Sequence, residues 1–347
     1  MTCGYEMRGL DLKDLLYRSG ILSLYHRIRN RKSLTVIMFH RVLRPEDPRW
    51  KTCDPDYTIS ADLFRQCLEL FVRHYTVVSL DDVLRAKEGT LPLPPCALLI
   101  TFDDGWQDNF EYALPILKQL RLPAALFAVG EAVDRSSAYF QEQLVAAWRR
   151  GSLGTKELGS MCEAVGIAAG SSAGAAGIAE LRRLISALES LTAGSRLEIL
   201  ARFAPVLADS ERHNLSAEEL RAMRHAGTRI GAHGMSHTPL THVASVRGEL
   251  LEVRTRLSGL LGESPDSIDT LSCPHGKYDA AVVREALQAG YKLIFTSDPA
   301  LNSTVAAPSH LLARVGFEAS AISDHNDRLI PGRLVSYLFR RPQVRLA

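Results

Sequence analysis

Two adjacent carboxylates, Asp103 and Asp104, follow the most strongly apolar predicted strand of the chain, at 96–102, and precede Gly105. Successive side chains of a strand point to opposite faces, so neighbouring carboxylates at its end can serve two different roles. One can bind a cation while the other faces a water molecule. A D-D-G sequence by itself is also common in ordinary turns. It therefore indicates a site only together with other residues.

Two histidines, His233 and His237, follow a second predicted strand at 228–232. On a helical turn the i, i+4 spacing places both imidazoles on one face, about 6 Å apart. Two histidines and one carboxylate form the open three-ligand site of a hydrolytic zinc centre, which leaves a coordination position for water. A lone H-x-x-x-H pattern often arises by chance. Its position after a strand, in a chain that also ends a strand with two aspartates, favours metal ligation.

The segments that carry these residues alternate between short apolar strands and helices, the pattern typical of parallel α/β proteins. We therefore predict an α/β fold, a distorted (β/α) barrel with about seven parallel strands, plus a helical insertion and an N-terminal helix. In such barrels the loops after the carboxyl ends of the strands carry the active site. The predicted site residues that follow strands are thereby expected at one end of the barrel.

The predicted barrel, residues 34–320, contains a mostly helical insertion at 131–212 and is followed by a C-terminal tail at 321–347. An Ala/Gly/Ser-rich segment within the insertion, at 164–178, is predicted to be a mobile loop. Residues 1–33 form the N-terminal amphipathic helical extension. Its helix, predicted over 10–32, has leucines followed by a basic run. It either packs on the barrel or makes a peripheral contact with an anionic membrane.

Composition narrows the functional classes. The chain has 347 residues with 41 basic and 39 acidic side chains, and the resulting net charge of +2 argues against a nucleic-acid partner. Charges interrupt the apolar residues near the N-terminus, so no cleaved secretory signal is predicted. The six cysteines lack a C-x-x-C pair, which favours reduced thiols. We expect a cytoplasmic protein, and membrane association through the N-terminal helix remains the alternative.

The motifs together resemble the polysaccharide deacetylases with a NodB homology domain, also called carbohydrate esterase family 4. The family's three motifs are similar to Thr-Phe-Asp-Asp-Gly at 101–105, His-Gly-Met-Ser-His at 233–237 and Leu-Ser-Cys-Pro-His-Gly-Lys-Tyr-Asp at 271–279. Met-Phe-His-Arg-Val at 38–42 resembles the first strand of an exopolysaccharide-related bacterial branch. The resemblance covers about residues 34–130 and 213–318.

This resemblance implies removal of an N-acetyl group from an N-acetylated saccharide, with acetate and a free amine as products. It implies that a divalent metal, usually zinc, is held by Asp104, His233 and His237. Asp103 is then the general base toward the attacking water, and a backbone N–H near His275 stabilises the oxyanion together with the metal. The residues expected near the substrate or the oxyanion are His275, Gly276, Tyr278 and Trp106.

Two departures from the family pattern matter. Many members carry an arginine that orients the catalytic carboxylate at the position of Ser272, and Arg314 in the last predicted strand is the candidate substitute. The leucine-rich segment ending in the histidine that acts as general acid is also missing. In the exopolysaccharide-related branch this imidazole comes from the first strand, which indicates His40 here, with His275 as the next candidate.

These departures leave two alternatives to an N-deacetylase. The same fold and site could hydrolyse another C–N bond, as an amidase or a deformylase does. The chain could also be a catalytically impaired pseudoenzyme that binds sugar without hydrolysing it. Acetate or formate release from defined substrates separates these functions.

Overall fold

A curled mixed sheet with helices around it forms the framework of the protein. The computed structural model describes residues 12–168, 175–305 and 309–346. The strands are β1 (Ser33–Phe39), β2 (Arg41–Leu43), β3 (Thr58–Ser60), β4 (Thr76–Val77), β5 (Ala97–Phe102), β6 (Ala125–Ala128), β7 (Arg229–Ala232), β8 (Thr270–Ser272), β9 (Leu293–Phe295), β10 (Leu301–Ser303), β11 (Leu311–Leu312) and β12 (Gln343–Val344).

Helices cover the outer side of this sheet and form the long connection between β6 and β7. They are α1 (Leu12–Arg18), α2 (Ile21–Arg29), α3 (Ala61–His74), α4 (Leu80–Lys87), α5 (Leu114–Leu120), α6 (Phe140–Arg150), α7 (Thr155–Ala164), α8 (Ala175–Ser190), α9 (Ala193–Arg202), α10 (Ala204–Leu207), α11 (Ala217–His225), α12 (Val246–Leu261), α13 (Ala280–Gln288), α14 (Ala319–Ile322) and α15 (Pro331–Phe339). Short 3₁₀ turns occur at Pro48–Lys51, Pro55–Tyr57, Leu240–His242, Pro265–Ser267 and Pro274–Gly276, and a π-helical turn at Asn109–Ala113.

The sheet differs from the prediction in strand number and in direction. Among the described residues it has ten strands in the order β11-β9-β8-β7-β6-β5-β1-β10-β12, and β4 pairs with β5. β10 pairs with β1 in the antiparallel direction. The prediction of about seven strands, all parallel, is therefore wrong on both counts. β10 reads Leu-Asn-Ser and β12 has two residues, so neither has the apolar run on which a strand prediction depends.

The run of parallel strands from β1 to β11 curls until its two ends meet. Ile37 in β1 forms a parallel bridge with Val315, shortly after β11. The Met38 N–H donates to the Val315 carbonyl at 3.0 Å, and the Val315 N–H donates to the Val36 carbonyl at 2.8 Å. These bonds bring the segment that contains Arg314 beside the first strand of the sheet.

Two apolar clusters hold the sheet in this shape. On one face of β1, Leu34 and Val36 pack with Ala97 and Leu99 of β5, and α4 closes this cluster. On the other face, residues such as Ile37 pack with the surrounding helices. The alternation follows from the period of two along a strand. Because apolar side chains occupy both faces of the strands, polar side chains can gather at the strand ends.

The helices α6–α10, at Phe140–Leu207, build a cluster of their own between β6 and β7, with Leu144, Met161 and Leu184 in its centre. This helical layer lies beside the ends of the strands. Of the segment 164–178, predicted as a mobile loop, residues 169–174 lie outside the described residues and Ala175 begins α8.

The N-terminal segment forms two helices rather than the single helix predicted over 10–32. The chain turns between them at Gly20, whose φ of 81° lies in the left-handed region that glycine adopts readily. Both helices contact α15, which lies in the segment predicted as a C-terminal tail. Residues 1–11 are outside the described part of the chain. No described helix combines the length and the apolar character that a bilayer crossing requires.

Candidate active site

Side chains from five strand ends meet at one edge of the sheet. Asp103 and Asp104 follow β5, His233 follows β7, Ser272 ends β8 and Arg314 follows β11. His40 follows β1, which pairs in parallel with β5. Because neighbouring parallel strands end at the same edge, residues far apart in the sequence are brought together there. The strand ends therefore position Asp103, Asp104, His233 and Arg314.

A carboxylate and two imidazoles form a potential metal site. One ligand atom each from Asp104, His233 and His237 lies within 4.8 Å of the others. The Asp104 Oδ1 is 3.3 Å from the Nε2 atom of each histidine. Nδ1 of His233 contacts the Ser272 carbonyl at 3.0 Å, which leaves Nε2 directed at Asp104. One carboxylate and two imidazole nitrogens suit a divalent cation such as zinc, so these residues fit the group that the sequence predicts.

The backbone at two of these ligands adopts a conformation that L residues rarely occupy. Asp104 has a φ of 76° and His237 a φ of 58°. Neighbouring side chains fix Asp104 there, since the Trp106 indole donates to its Oδ2 at 2.9 Å and the Tyr139 hydroxyl to its carbonyl at 2.7 Å. Unusual backbone geometry of this kind is characteristic of functional sites, where the surrounding structure maintains it.

Asp103 is buried and paired with a fully buried arginine. The Arg314 guanidinium donates to both carboxylate oxygens, at 2.7 and 2.6 Å. Ser272 Oγ donates to Asp103 Oδ2 at 3.1 Å and accepts from Arg314 at 2.8 Å. Burial raises the pKa of Asp103, but the charges of Arg314 and then His233 outweigh it and leave the pKa below its ordinary value. Asp103 is therefore an ionised carboxylate beside the three potential ligands.

His40 lines the same cavity as these groups. Its ring packs edge-on against Tyr57, with 5.1 Å between the centroids, and its carbonyl accepts from Asn109 at 2.7 Å. Burial lowers the pKa of His40, and the charges of Asp104 and Asp103 oppose this effect without cancelling it. The imidazole is thus placed to exchange a proton in the cavity, with the neutral form favoured.

His275 lies on the other side of the potential metal site. Its Nε2 is 3.1 Å from the His237 carbonyl, and its Nδ1 is 3.4 Å from Glu189 Oε1. Burial, and then the charge of His237, lowers the pKa of His275 to about 3. At neutral pH this ring is uncharged. The adjacent Gly276 has a φ of 65°, and a Cβ there would come within 2.7 Å of Ser297, so the turn requires glycine.

Trp106 and Tyr278 differ in their relation to the cavity. Trp106 lines it but is buried, and its indole is bonded to Asp104 while its ring faces the Arg41 guanidinium at 4.5 Å. Tyr278 is not among the cavity-lining residues, and its hydroxyl donates to Asp298 at 2.8 Å. In this structure Trp106 therefore orients a potential metal ligand, whereas Tyr278 secures the loop after β8.

One face of α8 forms a wall of the cavity that the sequence reasoning missed. The cavity of about 450 Å³ is lined by Arg182, Ile185, Ser186 and Glu189 as well as by the potential ligands. Their i, i+3, i+4, i+7 spacing is a helical face, a signal that the sequence contains. Arg182 donates to both carboxylate oxygens of Asp54, at 2.5 and 2.7 Å, and to Asp56 at 2.6 Å. These bonds tie α8 to the loop before β3.

A buried ionic cluster anchors the first helix of the same layer. Arg41 donates to Asp108 at 3.0 Å and also to Glu142 of α6. Asp108 Oδ1 in turn accepts from the Val42 N–H at 2.9 Å. The sequence reasoning missed this cluster as well, because no local pattern marks a single arginine as buried. It fixes α6, and with it Tyr139 just before α6, against the sheet.

Two further cavities adjoin the site, one on each side. A cavity of about 580 Å³ shares Tyr139, His237 and His275 with the central one and extends toward α9. A cavity of about 500 Å³ shares His40 and Tyr57 with it and extends toward Phe317. The potential metal ligands therefore lie in the middle of a continuous depression and not at a closed end.

A family model and a curated protein, both described as deacetylases, match parts of this chain. The family model described as polysaccharide deacetylase matches residues 92–165 and 191–294. The poly-β-1,6-N-acetyl-D-glucosamine N-deacetylase of Escherichia coli (strain K12) is 40% identical over 60 residues, which are 17% of this chain and 9% of that protein. The matched part of this chain thus spans less than a tenth of the length of that curated relative.

Solved structures share the fold at low sequence identity. IcaB from Ammonifex degensii aligns with a TM-score of 0.55 and 16% identity, over 89% of this chain and 97% of that one. The Streptococcus pyogenes deacetylase PplD, solved in complex with acetate, aligns with a TM-score of 0.54 and 18% identity, over 88% of this chain and 98% of that one. At these identities the likeness shows a shared fold.

Proposed function

Because this chain belongs to the polysaccharide deacetylase family, we propose that it is a metal-dependent hydrolase that removes N-acetyl groups from an N-acetylated saccharide. One observation carries the proposal. Asp104, His233 and His237 form a ligand set suited to zinc, and the ionised Asp103 lies beside it in the same cavity. A ligand set and a neighbouring base in one cavity are the parts that hydrolysis of an amide by water requires.

The metal would be held by Oδ1 of Asp104 and Nε2 of both histidines. When bound, a divalent cation supplies Lewis acidity that polarises a carbonyl oxygen and makes water more acidic. Trp106 and Tyr139 keep Asp104 in its unusual backbone conformation, and the Ser272 carbonyl orients His233. This arrangement fixes the ligands before a cation binds, so binding requires little rearrangement of the protein.

Asp103 would take the proton of the attacking water. The Arg314 guanidinium and the Ser272 hydroxyl hold the carboxylate in one orientation, and the charge of Arg314 keeps it ionised. Oδ2 accepts from both Arg314 and Ser272, whereas Oδ1 accepts from Arg314 alone and keeps a lone pair available for the proton. The arginine thus acts as a positioning residue for the base.

His40 would give a proton to the amine that leaves the acetyl carbon. Its ring lies in the cavity, and the charges of Asp103 and Asp104 favour the imidazolium form against the effect of burial. His275 fits this role less well because both of its ring nitrogens already face protein atoms, Nε2 the His237 carbonyl and Nδ1 the Glu189 carboxylate. The reaction then yields acetate and a protonated or neutral amine on the sugar, with water as the only co-reactant.

The continuous depression supports an oligomeric saccharide as the substrate. Cavities on both sides of the central one leave room for sugar units before and after the unit that is deacetylated. The α8 face covers the central cavity, where Arg182, Ser186 and Glu189 offer polar contacts to sugar hydroxyls. We therefore propose a chain of sugars rather than a free monosaccharide.

Acetate release from a panel of N-acetylated and N-formylated saccharides, with metal analysis of the same sample, tests the proposal. We expect acetate from the N-acetylated oligosaccharides and about one equivalent of divalent metal. The Asp103→Asn variant should lose turnover and keep its metal, because Asp103 is outside the ligand set. The His237→Ala variant should lose the metal.

Three outcomes would contradict this assignment. Formate release without acetate release would indicate a deformylase. Stoichiometric metal and saccharide binding without hydrolysis would indicate a pseudoenzyme. Loss of metal in Asp103→Asn equal to that in His237→Ala would show that the roles of the two adjacent carboxylates are misassigned.

A further inference from the structure

The N-terminal helices present an apolar stripe outward, away from the core. Ile21, Leu24, Tyr25 and Ile28 of α2 are 58, 60, 39 and 73% exposed. They follow the i, i+3, i+4, i+7 spacing of one helical face. Such a stripe normally faces the interior of a soluble protein, and four large apolar side chains on one outward face are unusual.

The opposite face of α2 already anchors the helix. His26 is fully buried, stacked on Phe339 with 4.0 Å between the ring centroids and edge-on to Tyr75 at 4.5 Å. Asn30, at the end of the helix, donates to the Phe339 carbonyl at 3.0 Å. The outward stripe is therefore not needed to hold α2 on the protein. It is available for another surface.

Positive charge predominates in the segment that carries the stripe. Residues 12–32 contain one carboxylate, Asp14, and six cationic side chains, namely Lys13, Arg18, Arg27, Arg29, Arg31 and Lys32. The whole chain has a net charge of only +2, so the rest of the protein is negative overall. Beside α1, a cavity of about 480 Å³ is lined by Lys13 together with Arg333, Arg340 and Arg341. Apolar side chains bordered by cations match the interior and the headgroups of an anionic bilayer.

We propose that α1 and α2 dock this protein on the surface of an anionic lipid bilayer. Leu12, Leu15 and the stripe of α2 enter the boundary between headgroups and acyl chains, and the cations bind lipid phosphates. A second copy of the chain is a poorer occupant of this surface. A two-fold interface places a patch against itself, so six cations would face six cations. The proposal does not depend on the proposed deacetylation.

Cosedimentation of the full chain with vesicles of phosphatidylcholine, with and without 30% phosphatidylglycerol, tests the docking. We expect binding to the anionic vesicles, at least tenfold weaker binding to the neutral ones, and release as salt is raised. The Leu24→Glu/Ile28→Glu variant should bind at least tenfold more weakly than the wild type. Leu251→Glu, on α12 and 42% exposed in the wild type, is the matched control and should bind normally.

A second variant keeps the test valid if the glutamates disturb α2. Arg27→Gln/Arg31→Gln retains every apolar contact and should lower binding to the anionic vesicles only. Thermal unfolding and acetate release from soluble saccharide should match the wild type in both variants. Equal vesicle binding by wild type and both variants would overturn the proposal. So would the absence of vesicle binding, or a dimer in solution that Leu24→Glu/Ile28→Glu dissociates.

Discussion

Arg314 pairs with Asp103, although the resemblance leads one to expect the pairing arginine at another position in the sequence. Position 272, where the resemblance leads one to expect an arginine, holds a serine short enough to leave room for a guanidinium. Arg314 lies in the segment after β11, and the serine hydroxyl contacts both members of the pair. A planar fork with several donors can reach a carboxylate from either strand, as long as both strands end at the same edge. The position of the guanidinium at the carboxylate determines the ionisation of Asp103, whichever strand the arginine follows.

The general acid can be tested by comparing two histidines. Replacing His40 by Ala should lower the rate of acetate release about 10²–10⁴-fold, the usual contribution of a general acid. Burial lowers the pKa of His40, so the protonated fraction decreases as the pH rises toward neutrality, and the rate should decrease with it. The His40→Ala variant should lack this decrease. Rate constants measured from pH 5 to pH 9 check both expectations.

His275→Ala is the matched control, because His275 borders the same cavity on its other side. Both of its ring nitrogens face protein atoms, so His275 should contribute little to proton donation and the variant should keep most of the activity. A large loss in His275→Ala together with wild-type kinetics in His40→Ala would assign proton donation to His275 instead.

At the scale of elements, α8 turns the helical insertion into part of the site. Two of its side chains connect it to other elements, Arg182 to the carboxylates of Asp54 and Asp56, and Glu189 to His275. A helix attached at both ends of one face can close a cavity without contributing to the sheet. We therefore expect the insertion to influence which saccharides bind.

Arg182→Gln should weaken saccharide binding because α8 loses its attachment to the loop before β3. We expect KM for an oligosaccharide to rise about tenfold, equivalent to about 1.4 kcal/mol, with a smaller change in kcat. Arg183→Gln is the matched control, since Arg183 is the next residue and its side chain is exposed. Steady-state kinetics of both variants check this. The same KM in Arg182→Gln as in the wild type would show that α8 does not act on the substrate.

The sequence could predict the elements that place the ligands but not the wall opposite them. Strands β1, β5 and β7 are followed by His40, by the two aspartates and by His233, so both the strand and the polar residue at its end are local signals. The helical spacing of the α8 residues is also a local signal, but it indicates only that these residues share one face of the helix. Which surface the face meets depends on contacts more than 100 residues apart in the chain, as in the bond between Arg182 and Asp54. Short strands such as β10 and β12 are likewise set by pairing rather than by local sequence.

At the scale of the whole molecule, two buried histidines link stability to pH. Burial lowers the pKa of His26 and that of His213 to about 4. An unfolded histidine has a pKa of about 6.5. Between pH 6.5 and 4 the unfolded chain therefore binds protons that the folded chain does not. Stability falls as the pH falls through this window and is unaffected by these groups above it.

His26→Phe should weaken this dependence while retaining the stacking on Phe339. His26 should account for about 3 kcal/mol of the stability that the wild type loses between pH 6.5 and 4, so the variant should lose about 3 kcal/mol less. Urea unfolding at several pH values measures the difference. His242→Phe, at an exposed position, should leave the dependence unchanged. An equally steep decrease in His26→Phe and in the wild type would contradict the role of His26.

The bridge that joins Val315 to β1 has a consequence for the order in which this protein matures. Arg314 comes 211 residues after Asp103 and immediately before the residue that makes the bridge. A ribosome must therefore synthesise the whole run of parallel strands from β1 to β11 before the carboxylate can acquire its counterion. The three potential ligands, all at or before position 237, emerge much earlier. During biosynthesis the three potential ligands can thus bind a cation before Arg314 pairs with Asp103.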